Sequence, residues 1–155
     1  MSSYLAGLAF NSAGLGINHS IAHGIGANFH LSHGCANAML LPHVIAFNSY
    51  LDVSYAQENA GASERYAYAA KLIGLTSVGT KLSVMNLIRQ IIDMIRYMNM
   101  PVTLAEAGVS KEDFENAKSL IVKSSLADVC TPTNPRVPEE RDIIRILDNL
   151  YYGIQ

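Results

Sequence analysis

Residues 81–98 read KLSVMNLIRQIIDMIRYM. Apolar side chains recur there every three or four residues, which is the period of a helix with one face in a core. They are Leu82, Met85, Leu87, Ile88, Ile91, Ile92, Met94, Ile95 and Met98. Polar Arg89, Asp93 and Arg96 fall on the other face, and Pro101 marks the end. The segment therefore predicts a long amphipathic helix.

The same period and the usual helix start and stop residues recur along the rest of the chain, and no segment alternates as a half-buried strand does. Further helices are predicted at Tyr4 to Ile25, at His33 to Asn48, at Ser63 to Ile73, from Ser110 onward and from Pro138 to Gly153. The predicted fold class is all-α. We expect a multi-helix bundle of five to seven helices that forms one domain over residues 1–155.

Composition excludes several classes of partner. The 155 residues carry 11 basic and 13 acidic side chains, a net charge of −2, so electrostatic binding of nucleic acid is not expected. Asparagine, histidine and proline interrupt every apolar run before it reaches the ~18 residues of a membrane span. Cys35 and Cys130 are too few for a disulfide framework, which favours a cytoplasmic location.

The charges are distributed unevenly. Residues 1–51 contain no Lys, Arg, Asp or Glu, and the first charged residue is Asp52. All five histidines lie between His19 and His43. An uncharged third of a chain that is not a membrane protein is expected to be buried or to face another protein surface.

The histidines are the candidates for chemistry. His19 and His23 are four residues apart and share one face of a helix. His33 would lie about 21 Å from His19 on a continuous helix, so it can share a metal with His19 only if the chain reverses between them. Gly24 and Gly26 are expected to weaken the helix, and Ser32-His33-Gly34 is expected to form a turn into the next helix, which together would permit this reversal. The pattern predicts a metal or catalytic site, with hydrogen-bonded core or interface histidines as the alternative.

The remaining candidates are weaker. His30 is expected in a loop, and His43, after Pro42, is expected to be a structural hydrogen bonder. Cys35 could reach a metal, although a lone cysteine is more often a small buried apolar residue. A catalytic metal usually has at least three protein ligands, commonly including a carboxylate, and residues 1–51 offer no carboxylate. Further ligands are therefore expected from sequence outside this chain.

Several motifs together resemble one enzyme family. They are GLAFNSAGLG at residues 7–16, His19-x-x-x-His23, His33-Gly34-x-Ala36-Asn37-Ala38, Leu40-Leu41-Pro42-His43-Val44, Asp128-Val129-Cys130 and Asn134-Pro135-Arg136. The sequence closely resembles the iron-containing (group III) alcohol dehydrogenases. The resemblance runs from about Leu5 to Tyr152 and is strongest to the branch of lactaldehyde reductases, propanediol dehydrogenases and ethanolamine-utilisation alcohol dehydrogenases.

The resemblance implies a fold and a set of roles. Members have an N-terminal α/β domain for NAD or NADP and a C-terminal helical metal domain, in a dehydroquinate-synthase-like fold. By this likeness His19 and His33 are two of the ligands of Fe²⁺ or Zn²⁺. His23 is implied to lie beside the metal near the nicotinamide, as a catalytic proton relay and a cofactor contact. Phe10 and Cys130 are implied to shape the substrate pocket.

The resemblance also implies what this chain lacks. The glycine-rich cofactor half and the Asp-x-x-x-His segment with the other ligands have no counterpart in the 155 residues. We therefore expect a C-terminal part of a metal-dependent dehydrogenase for a small alcohol or aldehyde. Alone it is expected to be inactive, to need the N-terminal half as partner, and to form a homo-oligomer. The alternatives are a non-catalytic helical scaffold with a vestigial histidine cluster and, less favoured, a stand-alone metal carrier.

Overall fold

The computed structural model describes residues 1–51, 60–75 and 77–153. These ranges form seven α-helices and one short 3₁₀ turn, with no strand among them. The helices are α1 (Ser2–Ala13), α2 (Ile17–Phe29), α3 (His33–Asn48), α4 (Ala60–Leu72), α5 (Thr80–Tyr97), α6 (Lys111–Ala127) and α7 (Glu140–Tyr152), and the 3₁₀ turn is Thr131–Thr133. The predicted all-α class and helix count are confirmed for this part of the chain.

Most helix ends follow local sequence signals. The Ser110 hydroxyl caps α6 by accepting the Asp113 N–H at 3.1 Å. The last helix differs from its prediction, because Pro138 precedes α7 instead of opening it. Glu139 is the N-cap, and its side chain and that of Asp142 form a reciprocal capping box. Gly153 ends the helix in a positive-φ conformation, as predicted.

The predicted helix from Tyr4 to Ile25 is wrong, because the chain breaks at residues 14–16. Gly14 and Gly16 have φ values of 79° and 74°, which side chains rarely tolerate. A Cβ atom on Gly14 would collide with Thr133, and one on Gly16 would lie 2.8 Å from Asn134 Oδ1. The two glycines thus end α1, start α2 and let the backbone lie against residues 133–134.

The expectation that Gly24 and Gly26 weaken the following helix enough for the chain to reverse there is also wrong. α2 runs through both, and the chain reverses only after Phe29, where His30 adopts φ 54° and donates its N–H to Gly26 O. Gly24 has a packing role instead. A Cβ at this position would lie 2.9 Å from Ile121 Cγ2, so its absence lets α2 approach α6 closely.

The core lies where α2 packs against α3 and α6, and where α3 and α6 pack against α7. Its largest fully buried side chains are Ile17, Ile21, Ile25, Met39, Leu40, Leu104, Phe114, Ile121, Ile143, Leu147 and Leu150. A smaller cluster joins α4 and α5 to Ile45 of α3. No helix in the described ranges is long and apolar enough to span a bilayer.

A buried asparagine ties distant segments together near the start of α2. Asn134 Oδ1 accepts the Ile17 N–H at 3.3 Å, and Asn134 Nδ2 donates to Asn48 Oδ1 at 2.8 Å. The Arg136 guanidinium beside it donates to Phe47 O at 2.8 Å and lies over the Phe47 ring. Residues 134–136 therefore hold the first turn of α2 against the last turn of α3, which positions the histidines.

Candidate metal centre

Three histidine rings come together where α2 and the first turn of α3 meet. The ring centroids of His19 and His33 lie 5.2 Å apart, those of His23 and His33 5.3 Å, and those of His19 and His23 6.4 Å. His19 and His23 share a face of α2, and the turn at residues 30–32 returns the chain so that His33 opens α3. The predicted reversal between His19 and His33 is therefore confirmed.

Ring orientation separates the three histidines. The His19 and His33 planes are tilted by 56°, so their in-plane lone pairs can converge on one point. Two imidazole nitrogens about 2.1 Å from a shared tetrahedral ion place their ring centroids roughly 5 Å apart, close to the observed spacing. The His23 ring is nearly parallel to His33, at 15°, and stacked on it, an arrangement in which the lone pairs do not converge.

His19 also has an unsatisfied nitrogen. Its Nδ1 atom is buried and has no hydrogen-bond partner. Burial and the neighbouring His33 and His23 lower the pKa of His19, an effect that Asp128 only partly opposes. The ring therefore stays neutral at physiological pH, which is the form that ligates a metal. The donor set thus fits a divalent ion that imidazole prefers, such as iron or zinc.

Asparagines hold His33. Asn37, one turn later on α3, places Nδ2 at 3.1 Å from His33 Nε2 and at 2.9 Å from His33 O. Asn18 Nδ2 in turn donates to Asn37 Oδ1 at 2.7 Å. The network fixes the His33 ring, and an ion that binds through Nε2 has to displace the Asn37 amide.

The cluster is incomplete as a metal site. Within residues 1–51, 60–75 and 77–153, no group of three or more His, Cys, Asp or Glu side chains is placed to hold an ion. The rings of His23 and His33 are also exposed, so the site is open on one side. Two imidazoles are fewer protein ligands than a catalytic metal usually has, so the source of the remaining ligands stays a prediction.

The C-terminal part of the chain supplies a carboxylate to this cluster. Asp128, just after α6, places Oδ2 at 2.8 Å from His23 Nδ1, and its Oδ1 accepts the Cys130 N–H at 2.8 Å. Burial acts to raise the pKa of Asp128, but the hydrogen bonds from Cys130 and His23 outweigh it and hold the pKa below its usual value. A fixed, ionised carboxylate therefore touches one of the three rings.

The other predicted site residues are Cys130, Phe10 and Cys35, and they differ in their neighbours and burial. Cys130 adjoins Asp128, and burial together with that carboxylate raises the pKa of its thiol. Phe10 lies in the last turn of α1 and is half exposed, with Gly14 just beyond it against Thr133. Cys35 is half-buried beside His33 on α3, and burial raises its thiol pKa. A neutral thiol is a poor metal ligand.

The two remaining histidines lie outside the cluster. His30 is exposed at the end of α2, as the loop prediction stated. His43 lies on α3 at a groove of about 890 Å³ bounded by α3, α5 and α7. Burial lowers the His43 pKa to about 4. His19, His23 and His33 do not line this groove.

Sequence reasoning assigned no role to Asp128, Asn37 or Asn134. Asp128 and Asn134 did occur in the two motifs near the C-terminus, but Asp128 is 105 residues from His23 along the chain. The signal that could have found Asp128 was an acidic side chain two residues before a cysteine in a recognisable motif. Spacing along the chain could not show the contact.

Comparison with known proteins fits this geometry. A model of the Fe-containing alcohol dehydrogenase family, C-terminal part, matches residues 1–151. The chain is 40% identical over 151 residues to an NADPH-dependent butanol dehydrogenase of Clostridium saccharobutylicum, covering 97% of this chain and 36% of the relative. It is 38% identical to an NAD-dependent methanol dehydrogenase of Bacillus methanolicus, covering 94% of this chain and 35% of the relative.

A comparison with solved structures leads to the same kind of enzyme. The fold superposes on a 1,3-propanediol oxidoreductase with a TM-score of 0.79 at 32% identity, covering 95% of this chain and 35% of that one. The chain thus spans about a third of the length of the curated relatives it matches. With the family model matching nearly every residue, this chain belongs to the Fe-containing alcohol dehydrogenase family and corresponds to its C-terminal helical region.

Proposed function

We propose that this chain provides two of the metal ligands and part of the substrate pocket of a cytoplasmic NAD- or NADP-linked dehydrogenase for a small alcohol or aldehyde. The observation that supports it most is the pair of His19 and His33, whose ring centroids are held 5.2 Å apart by two helices, a spacing that suits two ligands of one ion. Family membership supplies the reaction class. The cofactor domain and the other ligands would come from sequence that this chain does not contain.

Each residue has a distinct role in this proposal. His19 and His33 hold the metal, Fe²⁺ or Zn²⁺. When bound, the ion supplies Lewis acidity to the alcohol oxygen and NAD or NADP supplies the hydride acceptor. His23, next to the ligands but stacked on His33, carries the hydroxyl proton away at its Nε2 atom and contacts the nicotinamide. Phe10 and Cys130 border the substrate.

A chimera tests the proposal. Residues 1–151 of this chain replace the matching part of the butanol dehydrogenase relative, and alcohol-dependent NAD(P)H formation is measured with iron or zinc. We expect activity, a loss of at least about 100-fold in His19→Ala or His33→Ala, and no loss in the control His30→Asn, which lies outside the cluster. A folded but inactive chimera would favour the alternative, a helical scaffold with a vestigial histidine cluster.

Metal titration of the 155-residue chain tests the ligand assignment without activity. Two neutral imidazoles leave the charge of the ion uncompensated, so calorimetry should show weak Zn²⁺ binding, micromolar or weaker. His19→Ala and His33→Ala should abolish it, whereas His23→Ala should leave most of it. Nanomolar affinity, or an equal loss in all three variants, would contradict the assignment. Nanomolar affinity would instead favour a stand-alone metal carrier.

The isolated chain should itself be inactive. It has no counterpart of the glycine-rich phosphate cradle that binds a dinucleotide. Saturable, alcohol-dependent NADH formation by the pure chain, above that of a mock purification, would contradict this expectation.

A further inference from the structure

The contact between His23 and Asp128 joins two segments that are 105 residues apart in the chain. His23 lies mid-way along α2, and Asp128 follows the last residue of α6. The close packing of α2 on α6, which depends on the missing side chain of Gly24, brings them together. The pair is therefore a product of the fold and not of a local turn.

Both oxygens of the Asp128 carboxylate are held by hydrogen bonds. Oδ1 accepts the Cys130 N–H at 2.8 Å and lies 3.4 Å from the Ser20 hydroxyl, while Oδ2 meets His23 Nδ1 at 2.8 Å. The Ser20 hydroxyl is itself anchored, because it accepts the Thr131 hydroxyl at 2.8 Å. The side chain of Asp128 is only 18% exposed. It therefore has little freedom to leave His23.

The hydrogen bond to Asp128 determines the tautomer of the His23 ring. An ionised carboxylate can only accept, so the proton of a neutral His23 must be on Nδ1, and Nε2 keeps its lone pair. Stacking on His33 at 15° fixes the ring plane as well. Both the tautomer and the orientation of His23 are thus determined by neighbours in this chain.

We propose that Asp128 is a positioning residue that holds His23 in the Nδ1–H tautomer, so that Nε2 is the acceptor presented to the substrate hydroxyl. This rests on the function proposed above, in which His23 takes that proton. The proton moves from the alcohol oxygen to Nε2, and the Nδ1 proton stays on the ring, bonded to Asp128. Asp128 itself touches neither substrate nor metal in this arrangement.

Nitrogen NMR of the ¹⁵N-labelled 155-residue chain reads the tautomer directly, without metal, cofactor or activity. Spectra are taken at a pH where the histidines are neutral, for the wild type, Asp128→Ala and the isosteric Asp128→Asn. The wild type should show Nδ1–H at His23. A charge-assisted hydrogen bond contributes about 1.5 kcal/mol or more, so the ratio of Nδ1–H to Nε2–H should fall at least about tenfold in Asp128→Ala.

The matched control is Asp148→Asn, which removes a carboxylate that pairs with Lys118 at 2.7 Å and does not touch the histidines. It should leave the His23 tautomer unchanged. An Nε2–H tautomer in the wild type, or an unchanged ratio in folded Asp128→Asn or Asp128→Ala, overturns the proposal. If Asp128→Ala does not fold, Asp128→Asn alone decides.

The chimera separates this inference from the proposed function. There Asp128→Asn should lower kcat at least about tenfold and leave KM within about twofold, since orientation acts on the reacting ring and not on binding. An inactive chimera with the predicted NMR result refutes the proposed function but not the positioning of His23. An active chimera whose kcat does not respond to Asp128→Asn refutes the positioning role in catalysis.

Discussion

Helices α1 and α7 have nearly the same length and opposite environments. α7 carries charged residues on one face and apolar residues on the other. The apolar face is buried against α3 and α6 and consists of Ile143, Ile146, Leu147 and Leu150. α1 has no charge at all, yet Tyr4, Leu5, Leu8 and Phe10 are each at least half exposed. The less polar helix is thus the more exposed one.

The difference lies in where each helix finds its partner. A helix with a charged outer face shows in its own sequence which side enters the core. α1 has no charged residue on any side, which is typical of a helix that another protein surface covers. Within the described residues it lacks that cover, so its exposed side chains form an apolar surface of the kind that marks contact with another protein.

The largest effect should come from truncating the same residue type in each helix. Leu147, fully buried in α7, should cost about 3 kcal/mol or more of unfolding free energy when changed to Ala. Leu8, half exposed in α1, should cost about 0.5 kcal/mol or less. Urea unfolding followed by circular dichroism at low protein concentration measures both. Equal losses would mean that α1 is part of the cooperative core.

These two helices also show what sequence can predict. The start, stripe and end of α7 are encoded within the helix, so its existence and core face were predictable, and only the position of Pro138 was misjudged. The break between α1 and α2 was not, since Gly14 and Gly16 lie in backbone conformations set by Thr133 and Asn134. Likewise, the His19–His33 pairing was predictable from spacing and a turn, but the Asp128 contact depended on the packing of α2 on α6.

The second largest effect should be a loss of unfolding free energy at acidic pH, caused by His43 at the groove between α3, α5 and α7. The folded-state pKa of His43 is about 4, below the usual 6.5, so the unfolded chain binds a proton more readily. The contribution of neutral His43 to the unfolding free energy is therefore present above pH 6.5 and is lost as the pH falls towards 4. About 2–3 kcal/mol should be lost over this range, allowing for partial exposure to solvent.

Other groups at the groove also affect the pH dependence of stability, so the effect of His43 is measured as the difference between the wild type and a variant without this histidine. The charged residues that line the groove and its neighbouring pocket are Lys81, Arg89, Asp93, Arg96, Glu106 and Arg145. Unfolding free energies of the wild type and His43→Gln are compared at pH 8 and pH 4.5. The wild type should lose about 2 kcal/mol more than the variant. Parallel pH profiles would contradict the assignment to His43.

A smaller effect should appear in self-association through α1. Sedimentation velocity should show concentration-dependent association of the wild type. Changing both Leu5 and Leu8 to Glu should weaken it at least about tenfold, since each buried leucine contributes about 1.5 kcal/mol or more. Leu120→Glu is the control, because Leu120 is exposed on α6. A monomer at all concentrations, or an equal effect of the control, would show that α1 is not the contact surface.

The smallest effect should be that of metal on folding. The core helices bury their apolar stripes against one another, and of the two proposed ligands His19 is half-buried and His33 is exposed. Chelator should therefore leave the melting temperature unchanged within about 1 °C. Zn²⁺ at ten times its Kd should stabilise by only about 1.4 kcal/mol, through binding to the folded state. Unfolding in chelator would mean that the ion holds α2 and α3 together, as zinc does in a zinc finger. α1 should be indifferent to metal in either case, because its exposed side chains contribute no ligand.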